Sequence, residues 1–320
     1  DLHSFAGRRD VPLPTILGHE IVGEIVSRGD AAPQRDLAEQ ALRMGDRITW
    51  SVVAHCGACF FCLRGLPQKC LAAVKYGHEP LRPGKELLGG LAEHCLLASG
   101  TSIVRLPDDL PLSVACPASC ATATIAAALA AAGELRDRNV CLLGAGMLGL
   151  TASAMLRVAG ASAIVCADVN ASRLERARAF GATHVGAPGD VAGFAAALTE
   201  RHGFDVVLEL SGDPAAFETG WSALRRGGTL VMVGSVFPAP PVAIALEQIV
   251  RRNLSVRGVH NYAPHDLLEA VRFLSRHHRD FPFAELVAPW LPLEAAAEAF
   301  ASGHDPRRIR VGVSPGSDLG

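Results

Sequence analysis

The sequence lacks a charge excess of either sign: 30 Lys and Arg stand against 32 Asp and Glu, for a net charge of −2. That excludes the basic footprint of a nucleic-acid binder and the polybasic surface that would hold an anionic membrane. It also lacks an acidic tail, a low-complexity tract and an internal repeat of fixed period, which argues against a disordered chain and against a solenoid. No charged stretch followed by an apolar one opens the sequence, so no signal peptide is expected. Long apolar runs are missing with one exception, Val114 to Gly133, and about 20 such residues could span a bilayer. This run is mostly Ala, Thr and Cys and contains Pro117, which makes insertion weak. A buried, small-sided helix is the expectation.

Hydrophobic residues make up 49% and charged residues 19% of the 320 residues, the balance of a well-packed globular protein with room for two domains. Nine cysteines are present, Cys56, Cys59, Cys62, Cys70, Cys95, Cys116, Cys120, Cys141 and Cys166. A disulfide framework belongs to small secreted domains, so a reducing cytoplasm is the expected location. Cys141 and Cys166 lie in apolar runs and read as inert buried thiols, and Cys95 reads as a strand core residue.

To about residue 120 the sequence is rich in short alternating runs, GHEIVGEIVSRG, DRITWSVVA and LAEHCLLASGTSIVRLP, punctuated by Gly and Pro as in a compact β domain. The middle alternates continuously apolar strands (NVCLLGAG, ASAIVCAD, FDVVLELSG, TLVMVGS) with helical segments. That pattern predicts an α/β fold with a doubly wound parallel sheet. Two further helices, HDLLEAVRFLSRH and LEAAAEAFASG, precede a last short strand, RIRVGVSP. The expected division is a β domain over 1–121, a dinucleotide-binding domain over 122–265, and a return segment over 266–320.

GAGMLG places Gly144, Gly146 and Gly149 between an apolar strand and a helix. The first glycine permits the tight turn, the second admits a pyrophosphate to the backbone, and the third lets helix and strand lie close. The helix N-terminus then offers free N–H groups to the phosphates. The next strand ends at Asp168, whose carboxylate would accept from ribose hydroxyls and repel a 2′-phosphate, favouring NAD over NADP. Arg173 falls near the same ribose or on a solvated helix face.

Cys56, Cys59, Cys62 and Cys70 lie in one Gly- and Pro-containing loop, CGACFFCLRGLPQKC. Four thiolates on one lobe can close a tetrahedron around Zn²⁺ with no open position, a structural site.

This lobe, the GHE at Gly18–Glu20 and the GAGMLG fingerprint together resemble the zinc-dependent medium-chain alcohol dehydrogenases along essentially the whole chain. The resemblance implies a chaperonin-10-like β-barrel catalytic domain beside the dinucleotide-binding domain. It implies a catalytic zinc held by His19 and Cys120, with Glu20 as a neighbouring acid able to approach the metal. Cys116, four residues earlier, is the rival thiol. Asp1 would orient the zinc-bound His19, His3 would finish a proton relay, and Arg310 would contact the cofactor pyrophosphate. Zinc would act as Lewis acid on the alcohol oxygen while the α-hydrogen passes as hydride to NAD. A homodimer or homotetramer is implied, with TLVMVGS and LSVRGV as candidate strands at the subunit contact.

There is one departure. The family's first zinc ligand and relay hydroxyl belong immediately before Asp1, and a truncated chain is the expectation. As it stands the chain should bind NAD and the structural zinc and turn over alcohols poorly; an upstream Cys-Gly-Ser should restore a second zinc. A narrower resemblance, carried by CLRGLPQKC, KYGHEPL, GGLAEHC, CATAT, GAGMLGL and RGVHNY, is to the branch associated with phosphonate catabolism, which implies a hydroxyalkyl phosphonate or related small alcohol. Two rival readings are a zinc-independent quinone or enoyl reductase of the same superfamily, which would lack the His19–Glu20 and Cys120 donors, and a non-catalytic NAD- and zinc-binding fragment.

Overall fold

A computed structural model describes residues 1–9 and 11–316. In the first third, β1 (Val22–Glu24), β2 (Arg47–Trp50), β3 (Val53–Ala54), β4 (Val74–Lys75) and β5 (Ile103–Arg105) are short. They form an antiparallel sheet β1-β2-β5 and a separate β3-β4 pair. Trp50, Tyr76, Ile48 and Ile103 are buried together over them, with Trp50 and Tyr76 meeting edge to face at 6.2 Å. The alternating run from Leu91 to Ser99 makes no strand. Its backbone is satisfied elsewhere: Leu96 N–H donates to the Leu87 carbonyl at 2.7 Å and Ala98 N–H to the Tyr76 hydroxyl at 2.8 Å. Cys95 therefore packs against the Trp50 cluster from a loop rather than from a strand.

The apolar run from Val114 to Gly133 is not one helix. It breaks into Leu112–Ala115, a 3₁₀ turn Cys116–Ser119 and a helix Ala121–Ala132. Pro117 supplies no N–H to continue the first piece, and Cys120 leaves helical geometry at φ −128°, ψ −74°. The two apolar pieces are bent by 53°, and no single helix among the described residues is long and apolar enough to cross a membrane.

Six strands follow: β6 (Asn139–Leu143), β7 (Ala163–Ala167), β8 (His184–Gly186), β9 (Phe204–Glu209), β10 (Leu224–Met232) and β11 (Ser255–Gly258). All pair in parallel in the order β11-β10-β9-β6-β7-β8. Counted within this sheet the order is 3-2-1-4-5-6, that of the doubly wound dinucleotide-binding fold, whose switch point falls after its first strand. β6 from Val140 onward and all of β7 are apolar and buried, as in a parallel sheet covered by helices on both faces, and Cys141 and Cys166 lie in them. Burial pushes the Cys166 thiol up to about 12, which keeps it inert. β10 is flanked by β9 and β11, so of the two candidate contact strands only β11, all four of whose residues are exposed, offers a free edge. After the helix Pro264–His277, β12 (Val287–Pro292) and β13 (Arg310–Ser314) flank the helix Ala296–Ser302 in sequence and pair in parallel.

The chain divides into two compact units, Asp1–Ala123 with everything from Asn261 onward, and Thr124–His260. Residues 261–265, expected with the cofactor domain, belong to the first unit. Buried Tyr262 explains this: its hydroxyl donates to the Ser119 carbonyl and accepts from Val52 N–H at 3.1 Å.

Candidate active site and metal centres

The glycine loop has the geometry its residues require. Gly144 sits at φ +117°, which only glycine adopts readily. A Cβ on Gly149 would lie 1.9 Å from the Gly144 carbonyl oxygen, so the close helix–strand approach forbids a side chain there. Gly146 has open space where its Cβ would point. It is the N-cap of helix Met147–Ala159, and no side chain caps that end, which leaves its N–H groups for a ligand. Asp168, only 9% exposed, accepts from Ala145 N–H (2.7 Å) and Asn170 N–H (2.8 Å), one bond on each oxygen. A carboxylate offers about four acceptor sites, so both oxygens keep capacity for ribose hydroxyls. Asn170 caps the next helix through Ser172 and Arg173 N–H groups. The Arg173 Nε is buried without a partner among the described residues. An open N-terminus, spare carboxylate acceptors and an orphaned donor are what a dinucleotide would satisfy.

Cys56, Cys59, Cys62 and Cys70 converge with their sulfurs within 4.8 Å of one another. The Cys59–Cys62, Cys56–Cys70 and Cys59–Cys70 separations are 3.5, 3.5 and 3.9 Å. A tetrahedron with Zn–S bonds of about 2.3 Å has sulfur–sulfur edges of about 3.8 Å, so the lobe is sized for zinc. Backbone N–H groups of Cys62 and Leu71 hold Cys59 down to about 6, whereas burial and the Cys59 thiol push Cys62 up to about 12. Four thiols this close conflict as anions unless a cation sits between them.

The second centre is assembled from distant positions. The metal-binding atoms of His19, Glu20 and Cys120 lie within 4.8 Å of one another. Asp1 Oδ1 accepts from Gly18 N–H at 3.0 Å and stands 3.1 Å from His19 Nδ1. That bond assigns the proton to Nδ1 and leaves Nε2 as a metal donor. The helix break at Cys120 turns its thiol to this centre, and Ser119 ties the segment to the His19 loop by donating to the His19 carbonyl at 3.4 Å. Cys116 does not join; burial pushes its thiol up to about 12. A His, a Cys and a carboxylate with room for a further ligand form the donor set of an open, catalytic zinc site.

Arg310, which the resemblance sets on the cofactor pyrophosphate, also has a protein partner. It grips Glu20 with two prongs, Nε to Oε2 at 2.9 Å and Nη2 to Oε1 at 3.0 Å. Burial works against the Glu20 charge, but the Arg310 guanidinium and then His19 outweigh it and hold the carboxyl below its usual range. Glu20 is thus an ionised neighbour shared between Arg310 and the metal position. His3 is exposed in the short helix Leu2–Phe5, and lines the same cavity of about 430 Å³ as Asp1, His19, Glu20 and Cys120.

Several residues that shape this centre escaped sequence reasoning. Gly18 is at φ +100°, and a Cβ there would lie 2.5 Å from Leu91 N. Gly77, at φ +74°, would place a Cβ 2.6 Å from the Gly18 carbonyl oxygen. The two glycines let the turn Lys75–His78 and the Gly90 segment close on the zinc-ligand loop. Tyr262 braces Ser119 from the loop before the helix Pro264–His277, more than a hundred residues away. The one available signal was KYGH itself, a glycine in a turn beside Lys and His.

A parallel six-stranded dinucleotide fold, a four-thiolate zinc lobe and an open His/Cys/carboxylate centre in one chain define a zinc-dependent, dinucleotide-linked dehydrogenase. Comparison with known proteins agrees. Residues 1–108 match the alcohol dehydrogenase GroES-like domain, and residues 148–276 match the zinc-binding dehydrogenase family. An L-threonine 3-dehydrogenase from Pectobacterium carotovorum is 31% identical over 258 residues, covering 79% of this chain and 69% of the relative. An alcohol dehydrogenase structure from Thermotoga maritima superposes with a TM-score of 0.92 at 28% identity, covering 99% of this chain and 88% of that one. One from Thermus sp. ATN1 gives 0.82 at 26%, covering 98% and 88%. The chain belongs to the zinc-dependent medium-chain alcohol dehydrogenase family, oxidoreductases acting on a CH–OH group.

Proposed function

We propose that the protein interconverts a small alcohol and its carbonyl at the His19–Cys120 centre, with NAD as hydride carrier. The observation that carries this is the convergence of His19, Cys120 and Glu20, with Asp1 fixing the His19 tautomer. When bound, zinc supplies Lewis acidity at the alcohol oxygen and NAD accepts the hydride. The protein groups position and solvate these partners. Asp1 fixes the His19 tautomer through Nδ1, Arg310 keeps Glu20 ionised, and His3 on the cavity wall can carry a proton toward solvent. Asp168 supports NAD over NADP, since its carboxylate would face a 2′-phosphate.

The donor set argues against the zinc-independent reductase reading. The Pectobacterium relative is an L-threonine 3-dehydrogenase, and the phosphonate-associated resemblance points to hydroxyalkyl phosphonates, so short functionalised alcohols are the substrates to try first. The nine free thiols support a reducing, cytoplasmic setting, and the exposed β11 edge supports a homo-oligomer. The test is NADH formation across a panel of alcohols by the full-length protein and by His19→Ala. Loss of turnover of about 100-fold or more in the variant is expected, and equal rates would refute the assignment.

A further inference from the structure

Two cations stand by the zinc-ligand loop with no carboxylate among the described residues to answer them. Lys75 closes β4 and opens the turn that Gly77 seats on Gly18, with His78 N–H donating to the Lys75 carbonyl at 3.1 Å. At the end of this turn the His78 ring lies 5.4 Å from the His19 ring, centroid to centroid. His78 Nδ1–H donates to the Tyr76 carbonyl at 2.9 Å, so Nε2 presents a lone pair, which accepts from Arg9 Nη1 at 2.9 Å. Burial holds His78 down to about 3, so it is a neutral acceptor. Arg9 is therefore aimed by a group that leaves its charge uncompensated.

Lys75 is half-buried, and Cys120 lies within electrostatic reach of it. Glu79, near in sequence, spends Oε1 on the Lys75 backbone N–H at 2.8 Å. Among the described residues neither Lys75 nor Arg9 lies within ion-pair distance of a carboxylate. Two like charges partly withdrawn from water, with no described carboxylate beside either, are costly. The arrangement becomes favourable when an anion lies between them.

We propose that Arg9 and Lys75 form an oxyanion-binding subsite that selects alcohols carrying a carboxylate or phosphonate, with the hydroxyl at the His19–Cys120 centre. This rests on the dehydrogenase reading above. Arg9 presents a planar fork suited to two oxygens, and Lys75 presents a point charge. His78 is a positioning residue, since it acts through Arg9.

The test compares 1,4-butanediol, 4-hydroxybutyrate and 3-hydroxypropylphosphonate as substrates of the full-length protein, Lys75→Met and Arg9→Gln. Binding of inorganic phosphate is measured alongside by calorimetry, with zinc content and near-ultraviolet circular dichroism confirming that the variants fold. The anionic-to-neutral ratio of kcat/KM should fall about 10- to 100-fold in each variant, with phosphate affinity falling in parallel. A larger loss for the phosphonate than for the carboxylate identifies the preferred oxyanion. A ratio unchanged in both variants, or no phosphate binding to the parent protein, would overturn the proposal. Phosphate binding that Lys75→Met abolishes, with no alcohol oxidised, would leave the subsite standing and refute the dehydrogenase reading instead.

Discussion

The two metal centres are built in opposite ways. The cysteine lobe draws all four ligands from the 15 residues between Cys56 and Cys70, so its geometry depends on a local loop. The His19 centre takes its parts from Asp1, His19, Glu20, Cys120 and Arg310, and exists only when β1, the broken helix at Cys120 and β13 are packed. A local site tolerates damage elsewhere in the fold, whereas a dispersed one reports on every contact that brings its pieces together.

The largest expected effect is on the lobe. Cys62→Ser should remove about one zinc equivalent and destabilise the protein by on the order of 4 kcal/mol, because metal binding to such a loop is folding energy. Elemental analysis and thermal unfolding check both, and unchanged metal content would break the comparison at once. Next comes Gly77→Ala. Ala at φ +74° costs about 1–2 kcal/mol, and its Cβ would press the Gly18 carbonyl at 2.6 Å. This variant should lose the His19-centre metal and the activity while keeping the cysteine-lobe zinc.

Smaller is Asp168→Gly, which should weaken NAD about 10-fold or more by removing charged acceptors. It should also improve NADP relative to NAD, as read by titration of both. If the parent already binds NADP more tightly, the assignment of Asp168 fails.

The smallest is a pH effect. Burial and then Arg9 hold the Lys75 ammonium down to about 8, against about 10.4 in an unfolded chain. Between those values the unfolded state keeps a proton that the folded state has released, so stability contributed by this group rises with pH from about 8 to about 10.4. Below about 8 its contribution is flat. Urea unfolding should show this slope in the parent and lose it in Lys75→Met.

The same contrast explains what could be read in advance. Continuous apolar strands, GAGMLG and the four close-spaced cysteines are each governed by neighbours in sequence, so the parallel sheet, the glycine loop and the zinc lobe were legible. His19 and Cys120 were legible only through resemblance, since nothing in their spacing says that they meet. The bond from Arg310 to Glu20 was not legible, because the two lie 290 residues apart. The Val114–Gly133 run was read as one helix because composition shows apolarity but not the break at Cys120. Arg9, Lys75 and His78 look like ordinary loop residues until Gly77 is seen to dock the Lys75–His78 turn on Gly18 and His78 to meet Arg9.

The most direct measurement of a local and a dispersed centre in one chain is zinc per chain in the full-length protein, His19→Ala, Cys62→Ser and the double variant. The expected result is that each single variant loses about one equivalent, that the double variant loses both, and that only the lobe variant loses substantial thermal stability. If Cys62→Ser removes all the zinc, or His19→Ala removes none, the two centres are not independent metal sites.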